Sequence, residues 1–413
     1  MHEAATLDRH AAPPSPGESL HVCILACQHA AGDPRVAHRL ARSFVAAGFR
    51  VSWVGPDLGA KAREPGVEFH LFPARHTRFD RLARRHRAAH AARALDNVDL
   101  YFAVEPDSAA AAIALARRTG ARVVFDVHEF YHREMLLRWV PRWLLPAVGA
   151  GVRSWIRSLC RRSDLVVGVS EEILEAYHTD GRRELVVRNC ASLAMATGPA
   201  ADVCGDGRPA FTVMHGKSTA GHGTANLIAA LGILKARGET GFRAVCFEYF
   251  DGPEGLDRQR FMALVEQHDV ADSIDLRPLM PHAEMASLLA RCDAGLLAYD
   301  RDWGTFGLPN RLFEYMAAGL PIIAPIYALA MRHVVDAERC GVVVDCEDPQ
   351  ALADALSALR GNPVLARGLG ARAREAFLDR HNWEFECEPL IGAMRNVMPV
   401  CRPFRRATKE QET

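Results

Sequence analysis

Residues 302–323 read Asp302-Trp303-Gly304-Thr305-Phe306-Gly307-Leu308-Pro309-Asn310-Arg311-Leu312-Phe313-Glu314-Tyr315-Met316-Ala317-Ala318-Gly319-Leu320-Pro321-Ile322-Ile323. A polar, glycine-bearing loop leads into a short helix in which Arg311 and Glu314 stand three apart, the spacing of neighbours on one helix face. Gly319 and Pro321 stop that helix, and a β-branched apolar run follows as a buried strand. Loop, helix and strand in this order are one unit of a parallel α/β sheet.

The same rhythm extends in both directions. Strands are predicted at His21–Cys27, Val51–Val54, Val67–Phe72, Leu100–Val104, Arg122–Asp126, Leu165–Val169 and Glu184–Arg188, with helical patterns between them. One such helix is Pro34–Ala47, with Pro34 in the first turn behind Asp33 as cap. A second series follows at Phe211–His215, Ala244–Phe247, Ile274–Leu276, Ala294–Ala298, Pro321–Ala324 and Gly341–Val344, after which helices continue alone to about Val397. The predicted fold is therefore α/β, with two Rossmann-like doubly wound domains facing across a cleft, their strand C-terminal ends lining it. The expected boundaries are a disordered tail over 1–18, a first domain over 19–195, a linker over 196–208 and a second domain over 209–380. A C-terminal helix over 381–401 is expected to pack back on the first domain, and 402–413 to be a disordered tail.

Composition narrows the class of function. The chain has 413 residues, 49% of them hydrophobic, with 50 Lys and Arg against 50 Asp and Glu, so it is globular and long enough for two cores. The neutral total hides an asymmetry: residues 1–195 carry 27 Lys and Arg against 21 Asp and Glu, which favours anionic partners on that half. The eleven cysteines are an odd number without a C-x-x-C pair, which excludes a disulfide framework and predicts no metal site. Cys23 and Cys27 read as small core residues. With no apolar run long enough to span a bilayer and no signal pattern at Met1–Ser19, a cytoplasmic location is expected.

The loop after the first strand, Cys27 to Arg35, has one glycine, so a dinucleotide fingerprint is absent, and no Walker loop, nucleophile elbow or H-E-x-x-H helix occurs. The second domain's first strand does end in a small-residue loop, Met214-His215-Gly216-Lys217-Ser218-Thr219-Ala220-Gly221-His222-Gly223-Thr224, which opens a helix. This is either an anion site or an ordinary strand-to-helix turn with an exposed lysine.

The 302–323 run closely resembles the donor-binding segment of GT-B glycosyltransferases of family 4, whose pattern reads P-N-[KR]-L-F-E-Y-M-A-A-G-x-P-[VI]-I. Asp33-Pro34-Arg35-Val36, Asp126-x-His128-Glu129, Val169-Ser170, Arg188-Asn189 and His381-Asn382-Trp383 resemble further landmarks of that family in the same order, over residues 20–397. The resemblance implies a retaining transferase that moves a sugar from a nucleoside diphosphate sugar to a glycan or lipid-linked hydroxyl, with no metal and no cofactor. In this family the departing phosphate is thought to help deprotonate the acceptor. The resemblance further implies that Glu314 binds the donor ribose, with pairing to Arg311 as the alternative, and that Lys217 and His222 face the diphosphate. Gly216, Gly223, Phe306, Gly307, Leu308, Asn310 and Arg311 complete the implied donor site, and His128 stands on the acceptor side. Glu314, Lys217 and His128 are the implied catalytic set.

Three positions depart from the family pattern. Eight residues before Glu314 stands Phe306 where the family has a sugar-binding glutamate, with Asp300 and Asp302 as nearby carboxylates. Lysine replaces arginine at 217, keeping charge but losing the bidentate fork. Histidine replaces lysine at 222, and an unperturbed imidazole is mostly neutral at neutral pH. These departures motivate a second expectation, a catalytically reduced GT-B protein that binds nucleotide or glycan as an assembly partner.

Between Arg133 and Arg162, arginines alternate with Trp139, Trp143 and Trp155. The segment reads either as a surface for anionic membrane headgroups or as a core helix with a basic face, in short pieces broken by Pro141, Pro146 and Gly149–Gly151. No recognised nucleic-acid module accompanies the arginines.

Overall fold

The computed structural model describes residues 19–398 apart from 34, 60–63, 76, 132–139, 178–182, 197, 199, 206–209, 253–254 and 305–306. Both expected tails, Trp139 and Phe306 lie outside the described residues.

The chain forms two parallel sheets. Seven strands, β1 (His21–Leu25), β2 (Arg50–Asp57), β3 (Val67–Pro73), β4 (Leu100–Ala103), β5 (Arg122–Val127), β6 (Leu165–Gly168) and β7 (Glu184–Val186), lie in the order β3-β2-β1-β4-β5-β6-β7. Six strands, β8 (Phe211–Lys217), β9 (Phe242–Phe247), β10 (Ile274–Arg277), β11 (Ala294–Leu296), β12 (Ile322–Pro325) and β13 (Gly341–Val344), lie in the order β10-β9-β8-β11-β12-β13. In both sheets the order reverses beside the first strand of the domain, between β1 and β4 and between β8 and β11. A crevice opens at such a point because the flanking crossover helices lie on opposite faces. Buried strand residues such as Val22, Ile24, Val124, Val213 and Ile322 explain the continuous apolar runs, since each sheet is covered on both faces.

Three local outcomes differ from the sequence expectation. The strand that starts at His21 ends at Leu25, and Cys27 lies beyond it, fully buried. The helix expected as Pro34–Ala47 is a π-helix over Val36–Ala41 that passes into an α-helix over Arg42–Ala46. Asp33 still serves its start, its Oδ1 accepting the N–H groups of Arg35 and Val36, both at 2.9 Å. The Arg/Trp segment is a continuous helix from Leu145 to Arg162, unbroken at its glycines. Pro146 falls in the first turn, where its missing N–H leaves no bond unmade, and Gly149 is buried.

The helix Trp383–Val397 docks on the first domain, although it follows the second in sequence. Trp383, Leu390 and Met394 share a core with Phe44, Trp53 and Phe102, and Trp383 Nε1 donates to Ser43 Oγ at 2.8 Å. Glu386 accepts the Arg188 N–H at 2.8 Å and its Nη1 at 3.2 Å, tying this helix to the crossover between domains.

Candidate active site

Both crevices carry the polar residues singled out from the sequence. In the second domain, β8 runs into the small-residue loop through a bulge between Met214 and Gly216. Gly216 has φ +94°, and a Cβ there would stand 2.6 Å from Arg311 Nη1; Gly223 has φ +68°, and a Cβ there would stand 1.9 Å from the Ala298 carbonyl oxygen. Glycine is therefore required at both positions by backbone conformation and by crowding. The helix Thr224–Ala236 starts behind this loop and aims its N-terminus at the crevice.

Three nitrogen side chains converge there. Arg311 donates to the His215 carbonyl and lies over the Tyr299 ring at 5.1 Å. Burial opposes its charge, but Tyr299 and Tyr315 hold it firmly cationic. The Lys217 ammonium sits 4.5 Å from the Tyr249 ring centre, and burial and Arg311 lower its pKa. His222 packs on Tyr299 with ring centres 4.9 Å apart, and its Nδ1 is 2.5 Å from Thr219 Oγ1. Burial first, then Arg311 and Lys217, push His222 down to about 3. The imidazole is thus neutral through burial first and through its positive neighbours second.

On the helix Asn310–Ala318, Glu314 is buried and accepts from Asn310 Nδ2 at 3.1 Å. Arg311 turns instead to the loop of β8, so the two residues of the i,i+3 pair serve different neighbours. Leu308 is buried in the second-domain core and Gly307 is half-buried at the loop leading to this helix. The Asp300 N–H donates to the Gly221 carbonyl at 3.1 Å, which places Asp300 beside the loop; Asp302 lies in the short helix Arg301–Gly304.

In the first domain, His128 follows β5 with its side chain 10% exposed. Its Nδ1 is 3.4 Å from Tyr131 Oη and 3.8 Å from Asp126 Oδ2. Burial pulls its pKa down to about 4 against the pull of Asp126, with His29 and Arg35 lowering it further. Asp126 holds Arg35 in a fork, Nη2 to Oδ1 at 2.9 Å and Nε to Oδ2 at 3.2 Å.

Three participants had not been singled out from the sequence. His29, after β1, lies 5.2 Å from His128 between ring centres and places Nδ1 3.1 Å from Asp33 Oδ2. Burial lowers its pKa, but Asp33 and the charges of Glu105 and Glu129 raise it to about 9 overall. Glu105, 4% exposed just after β4, accepts the N–H groups of Cys27 (3.1 Å), Gln28 (2.7 Å) and His29 (3.2 Å), and the Ser108 hydroxyl. The signal for Glu105 was local: an acid before Pro106, directly after a strand, marks a helix entry. Arg39 is buried and donates from Nη1 to Asn310 Oδ1 at 2.9 Å, across from the first domain to the donor helix.

Fold and site together define a two-domain protein of the GT-B class. Residues 32–190 match the family model Glycosyltransferase Family 4, and residues 214–362 match Glycosyl transferases group 1. A glycosyltransferase family 4 domain is thus followed by a glycosyl transferases group 1 domain on a GT-B fold. It is 25% identical over 278 residues to a Salmonella typhimurium protein named as the colanic acid biosynthesis glycosyltransferase WcaL, covering 66% of this chain and 64% of that one. It is 29% identical over 144 residues to the D-inositol 3-phosphate glycosyltransferase of Segniliparus rotundus, covering 35% of this chain and 31% of that one. The matches thus span less than two thirds of these relatives' own lengths. Among solved structures, sucrose-phosphate synthase from Thermosynechococcus elongatus superposes with a TM-score of 0.72 at 17% identity, over 92% of this chain and 99% of that one. HepE of Anabaena in complex with UDP does so with a TM-score of 0.65 at 14% identity, over 92% and 100%. Likeness at these identities establishes the fold.

Proposed function

We propose that the protein is a retaining glycosyltransferase that moves a sugar from a nucleoside diphosphate sugar to a hydroxyl of a glycan or lipid-linked acceptor. The observation that carries this reading is the convergence of Lys217, His222 and Arg311 around the positive-φ loop at a helix N-terminus, with buried Glu314 one turn further along the donor helix. When the bond from the sugar C1 to the diphosphate breaks, its electron pair goes to the leaving oxygen. Fixed positive groups stabilise that growing charge without reorganising. The acceptor oxygen bonds to C1 and its proton passes to the departing phosphate. His128, held neutral, accepts a hydrogen bond from a second, non-reacting hydroxyl of the acceptor in this scheme. Glu314 accepts from the two ribose hydroxyls, a role suited to a carboxylate with four lone-pair sites.

UDP is the first nucleotide to test because HepE was solved with it. Calorimetry with UDP, GDP and their sugars on wild type and Glu314→Gln tests the donor assignment. The expected loss is about 1.5–3 kcal/mol, the worth of hydrogen bonds to a charged group, in a variant that stays folded. Unchanged affinity removes Glu314 from the site.

Phe306, in the place of a family glutamate, favours a second reading in which the protein binds nucleotide or glycan without transferring sugar. Release of nucleoside diphosphate from the donor, with acceptor or water, separates the two readings. We further propose that the helix Leu145–Arg162 touches an anionic membrane. Its inner face buries Ile156, Leu159 and Cys160, while Trp143 just before it is 79% exposed and Trp155 36% exposed. Among the described residues no helix is long and apolar enough to cross a membrane.

A further inference from the structure

Arg39 stands where three parts of the molecule meet. Its Nη1 donates to the backbone carbonyls of Asn189 at 3.3 Å and Cys190 at 2.5 Å, in the crossover segment between domains. Its guanidinium lies 5.9 Å from the centre of the Trp383 ring, on the helix that returns to the first domain. The same Nη1 reaches Asn310 Oδ1 at 2.9 Å, and Asn310 Nδ2 reaches Glu314 Oε1 at 3.1 Å. The residue projects from a π-helical turn, a geometry found mostly at functional positions.

The chemistry of this chain of contacts is directional. Guanidinium only donates and carboxylate only accepts, so an amide between them has a single satisfied orientation, oxygen towards Arg39 and nitrogen towards Glu314. With Asn310 fixed in that sense, its amide N–H holds Oε1 and sets the plane of the Glu314 carboxylate. Without the Arg39 donor the amide oxygen loses its anchor, so the side chain of Asn310 is freer to move and holds Glu314 less firmly. Two further groups at the junction, Arg35 Nη1 and Asn189 Oδ1, are buried without a hydrogen-bond partner. They are a donor and an acceptor, and buried polar groups are rarely left so, which gives the junction bonding capacity for a second arrangement of the domains.

We propose that Arg39 is a positioning residue for the donor site, setting the orientation of Glu314 through Asn310 and thereby linking nucleotide affinity to the contact that Arg39 makes from the first domain to the second. The proposal rests on the donor reading of Glu314. A ligand that needs Glu314 in this orientation favours the state in which Arg39 bridges the cleft, and that state binds the ligand more tightly in return.

The experiment is a calorimetric cycle with UDP, GDP and ADP on wild type, R39M, R39K, N310A, R39M/N310A and E314Q, using the tightest of the three for all variants. R39M and N310A are each expected to weaken binding about 10-fold, and the double variant no more than either, because groups in one hydrogen-bonded chain are not additive. R39K, which restores a donor, is expected to recover part of the loss. In turnover, R39M raises the donor KM with kcat within about twofold, the pattern of lost ground-state binding. If E314Q binds as wild type does, or wild type binds none of the three, the donor reading fails and the proposal with it. If E314Q is weakened while folded R39M and N310A bind normally, or if their losses add, the relay is overturned and the donor reading stands. Should R39M fail to fold, N310A, altered on the opposite side of the cleft, decides alone by the same criterion.

Discussion

His29 and His128 have ring centres 5.2 Å apart, yet their environments drive them in opposite directions, His29 up to about 9 and His128 down to about 4. One is an imidazolium clasped by Asp33 and the other a neutral imidazole enclosed with Asp126 and Tyr131. A raised pKa contributes stability that is complete below the unfolded value near 6.5 and is lost as pH rises towards 9. A depressed histidine contributes the opposite, full stability above about 6.5 and loss as pH falls towards 4. Stability from this pair therefore peaks near pH 6.5, with each flank worth on the order of 2–3 kcal/mol. Urea unfolding between pH 4.5 and 9 checks this, His29→Gln flattening the alkaline flank and His128→Gln the acid one. Flanks that persist in these variants belong to other groups.

His222 supplies a prediction of opposite character, in the ligand and not in the fold. Free of anion it is held at about 3 by burial, Arg311 and Lys217. A bound diphosphate favours the charged form, so binding raises that pKa and takes up protons, and affinity falls with rising pH until the bound-state pKa is passed. His222→Lys carries its charge throughout and is expected to bind UDP about 5- to 10-fold more tightly at pH 8, on the order of 1 kcal/mol. Calorimetry in buffers of different ionisation enthalpy reads the proton uptake directly. No uptake and no gain in the lysine variant would place His222 outside the diphosphate contacts.

Glu105→Gln is expected to destabilise the first domain by about 2–4 kcal/mol, since an amide cannot replace a carboxylate that accepts three peptide N–H groups and a hydroxyl. His29 loses a counter-charge in the same variant, so its NMR titration moves down. A variant as stable as wild type, with His29 unmoved, contradicts this account.

Trp143→Ala with Trp155→Ala is expected to abolish co-sedimentation with anionic vesicles while sparing the fold, because both rings face outward. Binding should fall with salt, as arginine attraction to headgroups is screened over about a Debye length. Salt-independent binding, or none to begin with, returns the helix to a purely structural role.

The strands were legible because most are short apolar runs bounded by turn residues, and the two series imply two parallel sheets without knowledge of their strand order. Lys217, His222, Arg311 and Glu314 were singled out through local spacing and resemblance, and the fold brings the first three beside one loop. The acid before Pro106 marked only a helix entry, and the contacts of Glu105 and Arg39 were not legible, because their partners lie 78 and 271 residues away in sequence and no periodicity records such a distance. The depression of His222 was equally hidden, since it depends on burial and then on charges at 311 and 217 that only the fold brings together. The continuous helix after Leu145 escaped because proline in a first turn and glycine under close packing look, in sequence, like breaks.

The two crevices have the same topology and differ in what faces their peptide groups. In the second domain the loop behind β8 sets Gly216, Gly223 and a helix terminus beside Lys217, His222 and Arg311. In the first, the equivalent peptide N–H groups behind β1 are already saturated by Glu105, an anion covalently tethered to the chain. A free phosphate there would have to outcompete a ligand whose effective concentration is set by one buried side chain and never diluted. With these peptide donors engaged by Glu105, the donor reading proposed above confines nucleotide to the second crevice.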